Sequence, residues 1–155
     1  MDEAIIQFIK KEYSLAVGER SAEDIKIAFG SACPLEEEIY GQVRGRDLLT
    51  GLPKTIITSA EEIRQAIDEP VTAIVDALKA TMDNTPPELA ADIMVQGAVL
   101  TGGGALLHGL DARLSAETGI AVRIADNPLQ SVAIGAGQYL EEFSVLSGVP
   151  ISSRG

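Results

Sequence analysis

The chain has 155 residues, 46% of them hydrophobic and 23% charged, which is the composition of a globular protein and not of a disordered segment. Its 12 basic and 23 acidic residues leave a net charge of −11, which argues against a broad basic face for nucleic acid or anionic lipid. No apolar run approaches the length of a membrane span, and no basic-then-apolar signal opens the chain. The single cysteine, Cys33, precludes an internal disulfide, fits a reducing cytoplasm and reads as a small, partly buried apolar residue.

In chain order, residues 2–13 place Ala4, Ile5, Phe8, Ile9 and Tyr13 on one helical face. A short helix is predicted from about 22 to 29, with Ser21 as its N-cap, Asp24 near capping-box spacing and Gly30 as its stop. Residues 38–47 and 53–59 read as two strands with Ile39, Val43, Ile56 and Ile57 as their apolar members. The Gly- and Pro-containing stretch between them supplies a turn. Two strands and a short helix bury little alone, so this stretch is expected to be a small lobe inserted in a larger one.

The longest helix comes next. Thr58 or Ser59 caps it, Glu61 and Glu62 favour its start, and Ile63, Ile67, Ile74, Leu78 and Met82 keep helical spacing. Pro70 lies inside this pattern and predicts a kink or short break. Residues 84–94 restart a helix with proline in its first turn. From 97 the pattern is strand, loop, helix, strand, helix. Residues 97–101 read as a buried parallel strand, and 105–119 as a helix lined by Leu106, Leu107, Leu110 and Leu114. Residues 120–126 form the next strand, and the last helix is started by Asn127 and Pro128. A strand–helix–strand unit of this length implies a right-handed parallel crossover. The tail from about 144 is Ser- and Gly-rich and is expected to fray.

The triplet Gly102, Gly103 and Gly104 then falls at the carboxyl end of a buried strand, before a predicted helix. Ligands of open α/β sheets bind at that edge. Bare backbone there admits a flat or anionic ligand to the amides, and a helix end favours negative charge. The plainer alternative is a tight turn in which glycine permits positive φ. No Lys-Ser/Thr follows, so the loop is not a Walker A motif, and its spacing is not a dinucleotide fingerprint.

Five stretches, "VLTGGGALLHGLD", "TPPELAADI", "VRGRDLLTGLPKT", "AEDIKIAFGSA" and "NPLQSVAIGAG", together resemble the MreB group of bacterial actin-like, rod-shape-determining proteins. The resemblance runs through nearly the whole chain. It implies an α/β fold, a fragment of domain II of an actin-like (RNase H-like) ATPase, and the C-terminal half of such a protein. By similarity residues 1–19 and 60–145 belong to subdomain IIA, residues 20–59 to the inserted subdomain IIB, and 146–155 to a flexible tail. The family's nucleotide, ATP, lies between two domains, with magnesium held only through the half not present here. Gly102, Gly103, Gly104 and Ala105 resemble the adenosine-side wall. Ala22, Glu23, Asp24, Ile25 and Lys26 resemble the opposing contact, Glu23 toward the ribose hydroxyls and Lys26 near the base. A carboxylate accepts two hydroxyl donors well; without the resemblance, an ordinary solvated helix face is the better reading of both side chains.

The resemblance also implies partners and place. The family forms head-to-tail filaments in the cytoplasm beneath the membrane, and its IIA lobe binds a membrane morphogenesis adaptor such as RodZ. Membrane attachment belongs to the absent N-terminal domain, so this half is expected to make no direct lipid contact and to bind no nucleic acid. The strand meander that opens the second domain is also absent. Its loss is expected to leave one sheet edge unpaired and the apolar faces of the helices at 2–13 and 129–143 partly uncovered.

Phosphoryl transfer needs charge-stabilising loops, a metal and a group that orients water. By similarity all three belong to the absent segments, so no residue here is assigned a catalytic role. No His/Cys/Asp cluster has metal-ligand spacing, and His108, the only histidine, reads as structural or exposed. Three function classes remain: half of a nucleotide-dependent filament protein, a small nucleotide-binding module or kinase-like enzyme sharing the Gly loop, and a pure interaction module. The purified chain is expected to show no ATP hydrolysis above a buffer blank. Steady turnover that disappears when the Gly triplet is substituted would contradict this.

Overall fold

Branched aliphatic residues at four-residue steps organise the fold. In the computed structural model, which describes residues 1–141, α1 (Asp2–Tyr13) and α3 (Ala60–Asp83) pack together. Ile5, Ile9, Ile63, Ile67, Val71 and Val75 form the centre of one apolar cluster and are each 0% exposed. The α3 row therefore runs 63, 67, 71, 75. Ile74, expected on this face, is one position off it and half-exposed. The helix continues unbroken through Pro70. Its start is fixed by a capping box in which the Ser59 hydroxyl accepts from the Glu62 amide and the Glu62 carboxylate accepts from the Ser59 amide.

The second helix begins earlier than its sequence suggests. Helix α2 spans Glu19–Phe29 with Gly18 as N-cap, and Ala22 N already donates to Gly18 O at 3.0 Å. Ser21 therefore lies inside the first turn and is not the cap. Gly30 ends the helix as expected. The two expected strands are present as β2 (Tyr40–Asp47) and β3 (Pro53–Ser59), paired antiparallel with Val43 opposite Ile56. Those two residues are buried, whereas Ile57 points to the other, exposed face, as strand alternation requires. Ile39 lies just before β2 and is half-exposed.

A third strand was not legible. Ser14 adopts φ 51° at the end of α1, and the two-residue β1 (Leu15–Ala16) then pairs antiparallel with the far end of β2. The β2–β3 turn is tied by Asp47 Oδ1, which accepts from Leu49 N at 2.7 Å and Thr50 N at 3.0 Å. Leu48, Leu49 and Leu52 stand exposed at its tip. At the other end of the hairpin the tip of the Phe29 ring packs on Gly41, so close that a Cβ there would overlap it.

The second half contains α4 (Pro87–Gln96), β4 (Ala98–Leu100), α5 (Leu110–Thr118), β5 (Val122–Ile124) and α6 (Ser131–Glu141). Strands β4 and β5 pair in parallel, Ala98 against Val122 through Leu100 against Ile124. Residues 105–119 are not one helix. A 3-10 turn covers Gly103–Leu106, Gly109 at φ 70° interrupts the chain, and α5 begins at Leu110. Leu107, Leu110 and Leu114 are buried, but Leu106 is exposed because it belongs to the separate turn. Helix α6 begins at Ser131, after a turn in which Gln130 N donates to Asn127 O at 3.0 Å. The expected fraying tail and the last residues of that helix lie outside the described residues.

The apolar face of α1 is covered in part: α2 and α3 bury Ile5 and Ile9 completely, whereas Ala4, Phe8 and Tyr13 stay half-buried. Helices α4 and α6, by contrast, bury no residue, and Met94, Val95, Val132 and Leu140 are exposed. Among the described residues no further strand joins β4 or β5. No helix among them is long and apolar enough to cross a membrane.

Two predictions follow from this packing. Burial alone would raise the Glu62 carboxyl, but hydrogen bonds from Tyr13 Oη, the Ser59 amide and Thr58 Oγ1 outweigh it and hold it below the ordinary range. A depressed folded value means the stabilisation is complete above the unfolded carboxyl's value of roughly 4.3 and is lost as pH falls through the folded one. Glu62→Gln should cost about 1 kcal/mol near neutral pH, and the gap in melting temperature from wild type should close as pH falls through that range. An unchanged gap at low pH would assign the loss to packing. The exposed apolar groups on α4 and α6 and the free edges of the β4–β5 pair should make the chain self-associate, since open strand edges recruit further strands. Light scattering over a concentration series reads this, and a monomer at every concentration would show the edges are blunted.

Candidate functional site

The parallel pair β4–β5 brings two loops to one edge, as this topology requires. After β4, Gly102 takes φ 85° and its amide donates to Pro128 O, in the loop after β5, at 2.7 Å. Thr101 Oγ1 donates to the same carbonyl at 2.9 Å. The glycine turn is thereby held open toward α2. Between them lies a cavity of about 390 Å³, within the range of small-molecule sites.

One wall is α2, which presents Glu23, Lys26 and Ile27. The other is the 3-10 turn, presenting Gly103, Gly104 and Leu106. The walls meet where Leu107 packs against Gly30, and Met1, His108 and Leu129 complete the lining. Lys26 Nζ is 2.8 Å from Asp2 Oδ1. That oxygen is buried and makes no well-aligned hydrogen bond, so the lysine's charge is its compensation.

Of the expected site residues, Glu23, Lys26, Gly103 and Gly104 line this cavity together. Gly102 shapes the turn behind it. Ala22, Ile25 and Ala105 are 0%, 6% and 3% exposed and face the core. Asp24 borders a separate, open groove with Ser21 and Arg44. Ile27, Leu106, Leu129 and His108 were not singled out as site residues from sequence. A usable signal existed for Ile27, which is one helical turn beyond Glu23. Leu129 could have been found from the parallel topology, because residues following both strand ends must meet.

The lining combines open backbone, apolar side chains and a carboxylate. A Cβ built on Gly104 would meet nothing within 4 Å, and one on Gly103 only Leu129 Cδ2 at 3.5 Å. The glycines therefore leave space in the cavity that the fold itself does not need. Ile27, Leu106 and Leu129 offer apolar surface to a flat ring, and Glu23 offers a carboxylate to hydroxyls. The expected helix terminus is not at the triplet, since α5 begins at Leu110. The wall suits a base and sugar better than a phosphate. Among the described residues no group of three His, Cys, Asp or Glu is placed to hold a metal.

Comparisons with known proteins bear on the family and the fold. The family model described as MreB/Mbl protein matches residues 1–148. The cell shape-determining protein Mbl of Bacillus cereus is 48% identical over 145 residues, covering 94% of this chain and 44% of the relative. The cell shape-determining protein MreB of Escherichia coli is 46% identical over 147 residues, covering 95% and 42%. The chain thus spans less than half the length of these curated relatives. The crystal structure of MreB5 of Spiroplasma citri bound to ADP superposes with a TM-score of 0.89 at 34% identity, over 96% of this chain and 45% of that one. The MamK double helical filament superposes with a TM-score of 0.75 at 21% identity, covering 91% and 43%, which shows the shared actin-like fold. A matching family model over almost the whole sequence, and relatives near half identity, place the chain in the MreB/Mbl family.

Proposed function

We propose that this chain contributes the adenosine side of an ATP cleft in a bacterial cell-shape filament protein. The observation that carries the reading is the cavity in which Glu23 and Lys26 of α2 face Gly103 and Gly104. Two structures of MreB5 of Spiroplasma citri, bound to ADP and to AMPPNP, support nucleotide as the ligand. Glu23 holds the ribose hydroxyls, the glycine turn lies along the base, and Lys26 stands near it. The phosphates and their magnesium are held by the other half of the cleft, so the chain alone binds nucleotide weakly and does not turn it over.

In this reading residues 20–59 act as subdomain IIB, and residues 1–19 with 60–145 as part of IIA. The exposed leucines at the β2–β3 tip and the open β4–β5 pair supply surface for head-to-tail self-association. The protein works in the cytoplasm beneath the membrane, where its IIA surface meets an adaptor such as RodZ. Its negative charge keeps this half off anionic lipid and nucleic acid.

The test is nucleotide binding by the chain and two variants, followed by NMR shift changes on addition of ADP. Glu23→Ala removes a charged hydrogen-bond acceptor, a loss of about 1.5–3 kcal/mol or at least tenfold in affinity. Gly103→Val leaves the fold intact, since only Leu129 is near, and should also weaken binding at least tenfold by filling the cavity. Wild-type affinity in both variants, with unchanged circular dichroism, would favour the plain-turn reading and an interaction module without nucleotide.

A further inference from the structure

The two cavity walls leave in the same direction and are stapled together just beyond it. Wall α2 runs out through Gly30 into residues 31–33, and the glycine turn runs out through Leu107 into residues 108–109. There the two segments lie side by side in a parallel bridge between Ser31 and His108. Ala32 N donates to His108 O at 2.8 Å. The Ser31 hydroxyl, in a residue only 1% exposed, donates to the Cys33 carbonyl and lies 3.4 Å from His108 O. Cys33 Sγ donates to Gly109 O at 3.3 Å. Arg113 on α5 anchors the staple to the core: Nη1 is 3.4 Å from Ala32 O and 2.7 Å from Asp68 Oδ1, while Nη2 reaches Thr72 Oγ1 at 3.0 Å on α3.

Among the described residues no other backbone hydrogen bond joins α2 and its exit to the glycine turn and its exit. The spacing between Glu23 and Gly103 is therefore set at this strap and not at the cavity. We propose that residues 31–33 and 108–109 form a positioning device that fixes the width of the nucleoside cavity, with Ser31 and Gly109 as positioning residues that touch no ligand. The Ser31 hydroxyl holds the Cys33 carbonyl, while the His108 carbonyl accepts from the Ala32 amide, so losing the hydroxyl loosens the 31–33 side of the strap. Gly109 permits their close approach. A Cβ at this position would lie 3.1 Å from Cys33 Cβ and 3.4 Å from Cys33 Sγ, so a side chain there requires Cys33 to give by a few tenths of an ångström. The proposal rests on the nucleotide reading for its ligand, but not for its geometry.

The experiment uses the 155-residue chain and exploits a matched control. Gly119 also has positive φ, at 73°, on the other end of α5, but a Cβ there meets nothing within 4 Å. Gly109→Ala and Gly119→Ala therefore share the backbone strain, and only Gly109→Ala disturbs the strap. Both should lower the melting temperature, while ADP affinity by NMR titration should fall at least tenfold in Gly109→Ala and stay within twofold of wild type in Gly119→Ala. Ser31→Ala, which adds no bulk, should weaken ADP binding several-fold. Equal affinities in Gly109→Ala, Ser31→Ala and Gly119→Ala would overturn the proposal. Amide exchange separates its failure from that of the nucleotide reading. The Ala105 and Leu107 amides, which bond within the glycine turn, should exchange at least tenfold faster in Gly109→Ala than in Gly119→Ala. If wild-type chain binds no ADP, the nucleotide reading falls. The strap as a spacer of the walls then stands or falls with those exchange rates alone.

Discussion

Burial of one seam of branched aliphatic side chains between α1, α3 and α5 is the constraint on which everything else in this chain rests. Ile5 and Ile9 meet Ile63 and Ile67, and Leu110 and Leu114 close the cluster from α5. Fully burying side chains of this kind is worth about 1.5–3 kcal/mol each relative to exposure, and no polar group interrupts the row. Rigid β-branched side chains lose little rotamer freedom on packing. The seam therefore sets the mutual orientation of three helices with little ambiguity. The small sheet hangs from it through Leu15, Val43 and Ile56, and the glycine turn through Leu107.

Periodicity made that seam readable. A helix at 2–13 and a long capped helix after Ser59 follow directly from apolar spacing and an intact capping box, and both are present. The hairpin was legible for a similar reason, since Val43 and Ile56 alternate with polar neighbours between turn residues. What could not be read was decided by single backbone angles or by contacts distant in sequence. Nothing in the sequence around Ser14 announces a left-handed residue, so β1 was invisible. Leucines on both sides of Gly109 masked a break that one positive φ creates. Pro70 failed to interrupt α3 because the tertiary seam on both sides outweighs one missing hydrogen bond.

The same division holds at the cavity. Glycines after a strand mark a ligand edge locally, and the family resemblance supplied Glu23 and Lys26. Ala22, Ile25 and Ala105 were named with them, yet they face inward, because a contiguous stretch of helix cannot present every residue to one side. Leu129 and Met1 arrive from opposite ends of the described chain, and only the folded topology brings them together. The pairing of Lys26 with Asp2 is of that kind too. It ties the first turn of α1 to the α2 wall of the cavity, so a contact far from the glycine turn in sequence helps hold its partner surface.

The tip of the Phe29 ring resting on Gly41 carries a consequence for how this sequence can diverge. Gly41 sits in an ordinary extended strand on a partly exposed hairpin, where surface logic would allow almost any residue. A Cβ there would overlap Phe29 Cζ, so a side chain at 41 requires the Phe29 ring to swing aside or shrink. A change at either position is therefore felt at the other. Phe29 is also the last residue of α2, immediately before Gly30. An uncompensated change at position 41 of β2 would thus be transmitted to the end of the helix that carries Glu23 and Lys26.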